Sequence, residues 1–253
     1  MAMSLSVLNA HVRDNGIRFD EQPHIYYVND KAVNTSVTSV VHQYFPKFDS
    51  DAIIDKMMSS RWWYKSKYFG KTKEEIKEEW KQSGLEATTH GTNMHKTIED
   101  YYNKWPLSHP ETPEFDMFLQ FAADHALSQK AYRTEWEVYI EEFDLAGSID
   151  MVFWNTEDDT YSIYDWKRTK EIKLKNDFGG KGLDSMSKYD DCNYVHYSLQ
   201  LNIYKYILET KYGLVIRDMF LVCMHPLYKS YKKIEVLELQ DEVKVILSKR
   251  LIG

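Results

Sequence analysis

A run of apolar residues interrupted by single carboxylates, GSIDMVFWNTEDDTYSIYDWKR, restricts the fold of this chain more than any other feature. The run predicts two antiparallel strands joined by a turn at Asn155 to Thr160. Symmetric pairing about that turn places Asp150 directly opposite Asp165. Opposed side chains in such a pair lie about 4.5–5.5 Å apart at Cβ, where like charges repel each other. A sheet with this pairing needs something that compensates two neighbouring negative charges.

The preceding segment, YRTEWEVYIEEFDLAGSID, extends the pattern to a third strand. Its turn, at Glu141 to Asp144, brings Glu135 beside Asp150 when the strands pair symmetrically. Because side chains alternate between the two faces of a strand, Lys167 shares the face of Asp165. We therefore expect three acids and one lysine on one patch of the sheet. A slip of one residue in either register would separate them.

Carboxylates held in a row on rigid strands suit a hard divalent cation such as Mg²⁺ or Mn²⁺, which prefers oxygen ligands. A bound ion would cancel the repulsion, activate a water molecule and stabilise charge on a phosphate. Lys167 could orient that water or stabilise the transition state. This chemistry indicates hydrolysis of phosphodiester bonds. An Asp-x-Lys triplet alone is commonly a solvated pair, so the prediction depends on the alignment of all three acids.

The composition limits the class of protein. With 253 residues, 43% of them hydrophobic, the chain can bury a substantial core. A formal net charge of -7 excludes a global basic field, so any contact with nucleic acid must be local. Cys192 and Cys223 are too few for a cysteine-ligated iron–sulfur cluster or a disulfide framework. No apolar run approaches the roughly 20 residues of a membrane span, and organellar targeting is not evident. We expect a soluble intracellular protein without membrane contact.

Local signals predict mostly helices before the strands and a mixed arrangement after them. Five signals mark element boundaries: the hairpin turn Asn29–Asp30, a helix start near Ser36, the N-caps Thr72 (in a capping box with Glu75) and Thr112 (before Pro113), and the helix stop Gly84. After the strands, residues 168–197 read as an irregular loop. A helix ending at Gly213, two strands and a closing helix follow. Tyr164 and Trp166 are predicted to pack on the other face of the sheet.

Glu135, GSID with Asp150, and YDWKR with Asp165 and Lys167 together resemble the PD-(D/E)xK nuclease superfamily, specifically its RecB-like exonuclease branch. Within that branch, mitochondrial genome maintenance exonucleases and phage or large-DNA-virus exonucleases share this spacing. The proline that gives the superfamily its name is absent here, since Ile149 precedes Asp150. This departure is common in the branch.

Two more segments resemble motifs of this branch and occur in the expected order. HGTNMH resembles its G-x-x-x-H helix motif, with Gly91 and His95 one turn apart, and QLNIY resembles its Q-x-x-x-Y motif, with Gln200 and Tyr204 on one helix face. The resemblance implies that His95 is a metal ligand and that Gln200 and Tyr204 support the site or the substrate. Without it, His95 would read as a core histidine. His90 is an alternative ligand.

The resemblance implies an α/β protein with a restriction-endonuclease-like core, in which helices flank a mixed central sheet. Residues 1–85 would form an N-terminal hairpin and helical cap, and residues 86–253 the nuclease core. The implied metal ligands are His95, Asp150 and Asp165, for Mg²⁺ or Mn²⁺ and not an iron–sulfur cluster. The implied catalytic residues are Glu135, Asp150, Asp165 and Lys167.

DNA contact is expected on the loop from Arg168 to Lys188, which carries six basic and three acidic residues in an acidic chain. Its candidates are Arg168, Lys170, Lys173 and Lys175. The alternative is a merely solvated loop. RWWYKSKYFGK, which begins at Arg61, is a second candidate for DNA contact, although its tryptophans could instead belong to the core.

We therefore expect a divalent-metal-dependent deoxyribonuclease. It would be an exonuclease that acts on single-stranded or end-bearing DNA in replication, repair or recombination. A phage or viral origin is possible. One alternative is a nuclease fold that binds DNA ends without cutting them. Another is a glycosidase that uses two carboxylates and no metal.

Overall fold

The computed structural model describes residues 3–251. The helices are α1 (Leu5–Leu8), α2 (Val37–Gln43), α3 (Ser50–Met58), α4 (Lys73–Asn103), α5 (Pro113–His125), α6 (Asn193–Lys211) and α7 (Gln240–Arg250). The strands are β1 (Ile17–Asp20), β2 (Ile25–Val28), β3 (Lys31–Ala32), β4 (Thr35–Ser36), β5 (Lys130–Ile140), β6 (Leu145–Asn155), β7 (Thr160–Lys167), β8 (Ile216–Cys223) and β9 (Lys232–Glu235). The predicted α/β class is confirmed.

A mixed six-stranded sheet forms the centre of the fold. β6 pairs with β5 along one edge, and with β4 and β7 along the other, after which β8 and β9 follow in order. The pairs β4–β6 and β7–β8 are parallel, and the remaining pairs are antiparallel. This mixed sheet with helices on both faces agrees with the restriction-endonuclease-like core that the sequence predicts.

Both predicted hairpin registers are confirmed near the acids. β6 and β7 pair Met151 with Tyr164, so Asp150 and Asp165 are the next residues in line. β5 and β6 pair Trp136 with Ile149 and continue in that register to the turn. The register of this second pair shifts only between residues 131 and 133, on the far side of the acids from the turn.

Helices α2, α6 and α7 cover one face of the sheet. Val37 and Val40 of α2 and Leu199 of α6 are fully buried there against Trp136 and Ile149. Burying such side chains removes apolar surface from water, which stabilises the fold by about 25 cal/mol for each Å². This layer fixes the position of α6 relative to β7, the strand that carries Asp165.

Helices α4 and α5 cover the opposite face. Phe118 and Phe121 of α5 pack edge-on against Trp166, and Ile98 of α4 joins the same core. Tyr164 and Trp166 are fully buried, which confirms their predicted place in the core. This packing holds α4 against the sheet close to β7.

The predicted N-caps Thr72 and Thr112 are confirmed, and the helix expected to begin near Ser36 begins at Val37. The side chains of Ser36, Thr72 and Thr112 each accept a hydrogen bond from the first turn of the following helix, and Thr72 forms the expected capping box. The hairpin β2–β3 turns at Asn29–Asp30, where both residues have positive φ. Such values are typical of a two-residue hairpin turn.

The predicted helix stop at Gly84 is wrong. α4 runs without interruption from Lys73 to Asn103 and ends at Lys104, a left-handed residue. An interior glycine costs only about 1 kcal/mol relative to alanine, which the good helix formers around it offset. The expected boundary between residues 85 and 86 therefore falls inside one helix.

The region after β7 is irregular, as predicted, up to the start of α6. α6 begins at Asn193, five residues before the sequence-based estimate at Ser198. Within the loop, Met186 is fully buried, and the N–H of Leu183 donates to the carbonyl of Tyr44. The loop is therefore attached to the core at its centre.

Candidate metal centre

Asp150 lies where β6 and β7 separate. The regular pairing between these strands ends at Met151 and Tyr164. One residue further, the Oδ2 atom of Asp150 accepts a hydrogen bond from the backbone N–H of Trp166 at 2.8 Å. The side-chain oxygen of Asp150 thus accepts the hydrogen bond that a backbone carbonyl would accept in a regular sheet. This bond fixes the Asp150 carboxylate between the two strands.

The alternation of side chains breaks at Glu135 and Asp150. Trp136 and Ile149 pack beneath α2 and α6, whereas Met151, two residues after Ile149, packs beneath α4 and α5. In a regular strand, residues two apart share a face. Glu135 has φ +41, a left-handed value that is rare for a non-glycine residue in a strand. This local distortion turns both acids toward α4.

His95 reaches these acids from α4. Its Nε2 atom lies 2.9 Å from the carbonyl oxygen of Trp166, and its Nδ1 atom lies 3.4 Å from Oε1 of Glu135 and 3.7 Å from Oδ2 of Asp150. Burial lowers the pKa of His95, but the charges of Asp150 and Glu135 outweigh burial and raise it to about 9. The ring is therefore held with Nδ1 toward the carboxylates.

His95, Glu135 and Asp150 form a group that could hold a metal ion. One ligand atom from each residue lies within 4.8 Å of the other two. Burial and the charge of Glu135 raise the pKa of Asp150, while His95 opposes this rise. Two oxygens and one imidazole nitrogen suit a divalent cation, and such an ion would relieve the mutual repulsion of the acids.

Asp165 and Lys167 form an ion pair beside this group, with Oδ2 and Nζ 2.6 Å apart. Burial raises the pKa of Asp165 to about 6, although Lys167 opposes this rise. The carboxylates of Asp165 and Asp150 in turn keep the pKa of Lys167 raised despite burial. Nζ also lies 4.6 Å from the ring centre of Tyr197 on α6. The structure thus directs Asp165 and Lys167 toward α6 and leaves Asp165 outside the three-residue group.

A cleft of about 730 Å³ opens onto the metal-binding group. His95 and Gly91 of α4 form one wall, and β5 and β6 supply Glu135, Glu137 and Ser148. An added Cβ at Gly91 would meet no atom within 4 Å, so nothing in the protein fills the space beside this residue. The predominance of carboxylates makes the cleft attractive to cations and repulsive to a bare phosphate.

Sequence reasoning missed most residues of this cleft, among them Glu137, Ser148 and Tyr26. Glu137 and Ser148 pair with each other in the same register as the acids, so the sequence did contain a signal for them. Tyr26, on β2, also lines the cleft, and burial with the nearby charges of Glu137 and Glu135 strongly raises its pKa. No local pattern indicates Tyr26, because the hairpin that carries it is distant in sequence.

Gln200 and Tyr204 lie on α6. Tyr204 is buried, and an added Cβ at Gly147 would come within 2.7 Å of its hydroxyl. Burial raises the pKa of this hydroxyl well above its usual value, with smaller contributions from Asp150 and Asp165, and a hydrogen bond with Gln200 opposes the rise. The pair therefore lies close to the acids, behind the strands that carry them.

The basic residues of the loop after β7 differ in whether their charges are free to contact DNA. Nε of Arg168 lies 2.5 Å from Oε1 of the buried Glu114, so this guanidinium is already paired. Lys173 pairs with Asp177 at 2.5 Å on the surface. Lys170 and Lys175 are exposed. His90 is exposed as well and lies outside the metal-binding group.

Comparisons with known proteins give only distant likenesses. No known protein family matches the sequence, and no curated protein matches it. The structure is similar to a Eubacterium rectale protein named "Putative exonuclease", with 13% identity, a TM-score of 0.37 and 64% of each chain covered. It is also similar to SSO0001, with 15% identity, a TM-score of 0.28 and 55% of each chain covered. The chain thus spans less than two thirds of either protein's length.

Across residues 3–251, no helix has the length and apolar character that crossing a membrane requires.

Proposed function

We propose that this chain is a divalent-metal-dependent deoxyribonuclease, an exonuclease that acts on single-stranded or end-bearing DNA. The observation that carries the proposal is the position of the Asp165–Lys167 ion pair beside the group formed by His95, Glu135 and Asp150. These five residues occupy the positions of the PD-(D/E)xK motifs that the sequence resembles.

The donor set fits Mg²⁺ or Mn²⁺. Glu135 and Asp150 offer carboxylate oxygens, and His95 offers Nδ1, since Nε2 already faces the Trp166 carbonyl. Asp165, which the sequence resemblance implies as a further ligand, lies beside this group with its Oδ2 in the ion pair with Lys167. A bound divalent cation would activate a water molecule and stabilise the charge that develops on a phosphate during hydrolysis.

Lys167 is the residue that we assign to the reaction itself. Its ammonium group stays protonated, because Asp165 and Asp150 keep its pKa raised. A fixed positive charge beside the acids can hold the attacking water or stabilise the phosphorane-like charge of the transition state. Asp165 and the ring of Tyr197 hold Nζ in place for this role.

The acidic cleft explains why the proposed reaction requires metal. Glu135, Glu137 and Asp150 would repel a phosphodiester unless a cation were bound between them. Lys170 and Lys175, exposed on the loop after β7, could neutralise phosphates further along the strand. The proposed substrate would thus be held by the loop and positioned by the ion.

The test is digestion of end-labelled single-stranded, duplex and circular DNA by the wild type, Lys167→Ala and Lys244→Ala, with Mg²⁺, Mn²⁺ or chelator. Lys244 lies on α7 with its side chain 63% exposed, which makes it a matched control. We expect metal-dependent loss of linear DNA, a rate reduced at least about 100-fold by Lys167→Ala, and no change with Lys244→Ala.

Three results would overturn the proposal. Full DNA cleavage in chelator would show that the reaction needs no metal, and cleavage of circles as fast as linear DNA would indicate an endonuclease. DNA binding without any cleavage by the wild type would indicate a scaffold that holds DNA ends.

A further inference from the structure

The segment between α3 and α4 exposes an unusual number of aromatic rings. Trp62, Tyr64 and Phe69 are exposed to 51%, 58% and 59%. Trp62 is therefore not a core residue. Large apolar side chains grouped at a surface commonly mark a site of contact with another molecule.

Cations alternate with these rings. Residues 56–73 contain six lysines or arginines and no acid, in a chain whose net charge is -7. Arg61 and Lys65 lie 5.0 Å and 4.7 Å from the ring centre of Trp62, and Lys67 lies 4.6 Å from that of Tyr68. Among the residues that the structure describes, none of these three cations has a carboxylate within ion-pair distance.

We propose that residues 61–71, which we call the aromatic–basic platform, stack the unpaired bases of single-stranded DNA at a distance from the metal-binding group. The proposal rests on the proposed function, because it assigns a second contact surface to the same substrate. Every base has a π face, so exposed rings bind single strands with little sequence preference, and interleaved cations neutralise the phosphates. A protein partner would not need this uninterrupted positive charge.

The platform is fixed to the first turns of α4. Nε1 of Trp80 donates to the hydroxyl of Tyr68 at 2.7 Å, and Lys71 forms an ion pair with Glu79. These contacts join the platform to the same helix that carries His95.

α4 also sets the distance and direction between the two sites. The 15 residues from Trp80 to His95 extend about 22 Å at the helical rise of about 1.5 Å per residue. Trp80, which holds Tyr68, and His95 are 15 residues apart, slightly more than four turns, so their side chains lie about 60° apart around the helix. Through Trp80, the platform is therefore attached close to the face of α4 that leads to the metal-binding group.

The helix between the two sites is open. Residues 81–90 are all exposed. On the face that leads to His95, Gly84, Thr88 and Gly91 follow one another at helical spacing, and an added Cβ at either glycine would meet no atom within 4 Å. A single strand could thus lie along α4 without displacing any part of the protein. At about 3.4 Å per nucleotide, it would need six or seven nucleotides to reach from one site to the other.

The experiment measures binding of a fluorescent single strand of about 30 nucleotides and of the matching duplex, in chelator, so that no cleavage occurs. The variants are Trp62→Ala/Tyr64→Ala and the control Leu127→Ala, whose side chain is fully exposed far from the platform in sequence. We expect the double variant to bind the single strand at least about tenfold more weakly than the wild type, with duplex affinity unchanged. Leu127→Ala should bind both as the wild type does.

Equal losses for single strand and duplex would overturn the stacking role, as would an unchanged single-strand affinity. Because turnover plays no part in this assay, failure of the platform and failure of the proposed nuclease are distinguishable. A second variant, Arg61→Ala/Lys65→Ala, tests the charges and should reduce the salt dependence of single-strand binding. If the salt dependence were unaltered, the proposed contact of Arg61 and Lys65 with the phosphates would be wrong.

Discussion

The Nε2 atom of His95 lies 2.9 Å from the carbonyl oxygen of Trp166, the residue between Asp165 and Lys167. This contact joins α4 to the strand that carries the ion pair. When Nε2 donates to that carbonyl, Nδ1 is the nitrogen left to face Glu135 and Asp150. The helix and the sheet thus define a single geometry for the proposed metal ligands.

Removal of His95 should weaken metal binding. We expect His95→Ala to bind Mn²⁺ at least about tenfold more weakly than the wild type in isothermal titration calorimetry. His90→Ala is the matched control, because His90 is exposed on the same helix and lies outside the metal-binding group. If both variants lost affinity equally, the assignment of Nδ1 of His95 as a ligand would be wrong.

The left-handed backbone at Glu135 should cost stability. A non-glycine residue with positive φ is strained by about 1–3 kcal/mol unless its surroundings compensate. Glu135→Gly and Glu135→Gln both remove the carboxylate, but only the first relieves the backbone. Urea denaturation without metal should therefore show the glycine variant about 1 kcal/mol more stable than the glutamine variant. If the glycine variant were less stable than the glutamine variant, the proposal that the backbone at Glu135 is strained would be wrong.

The two helical glycines of α4 offer another comparison. Both Gly84→Ala and Gly91→Ala should raise the free energy of unfolding by about 0.5–1 kcal/mol, because alanine is the better helix former and its Cβ meets no atom within 4 Å. Only Gly91 lines the cleft, so only Gly91→Ala should slow DNA cleavage. Thermal denaturation and a nuclease assay check the two parts separately. Destabilisation by either change would show that the helix needs the glycine.

Asp14 should make stability depend on pH. Burial raises its pKa, but hydrogen bonds from the backbone of His11 and from Arg133 and Trp136 outweigh burial and lower it. A carboxyl with a lowered native pKa stabilises the fold above the pKa of the unfolded chain and loses this effect as pH falls through the native value. Asp14→Asn should therefore cost about 2 kcal/mol near neutral pH and less near pH 3, which is below the pKa of the unfolded chain.

Urea denaturation at both pH values measures this difference. Asp30→Asn, in the exposed turn of the N-terminal hairpin, is the control and should change little at either pH. A cost of Asp14→Asn that stayed constant with pH would show that Asp14 stabilises the fold through packing and not through its charge.

The sequence predicted the elements with strong local signals. The turns at residues 141–144 and 155–160 determine the register of their hairpins, and the register determines which residues lie beside Asp150. The helix start near Ser36 and the caps at Thr72 and Thr112 are equally local. The mixed α/β class follows from the order of these elements.

The remaining features depend on contacts that no local pattern contains. Gly84 read as a stop because a glycine commonly ends a helix, whereas α4 continues through an exposed stretch to the turns of Met94 and Ile98, which pack against the sheet. The break in alternation at Glu135 arises from one unusual backbone angle. Tyr26 reaches the cleft only through the fold of the N-terminal hairpin.

The length of α4 has a consequence for the products of the proposed reaction. The helix holds Trp80, to which the aromatic–basic platform is bound, about 22 Å from His95 with no break at which the distance could change. At the stacked spacing of about 3.4 Å per nucleotide, a strand shortened to fewer than about six nucleotides no longer reaches from Trp80 to His95, and we expect it to dissociate sooner than a longer strand. A digest carried to completion should therefore end in short oligomers of nearly uniform size, because the length of α4 determines the shortest strand that contacts both sites.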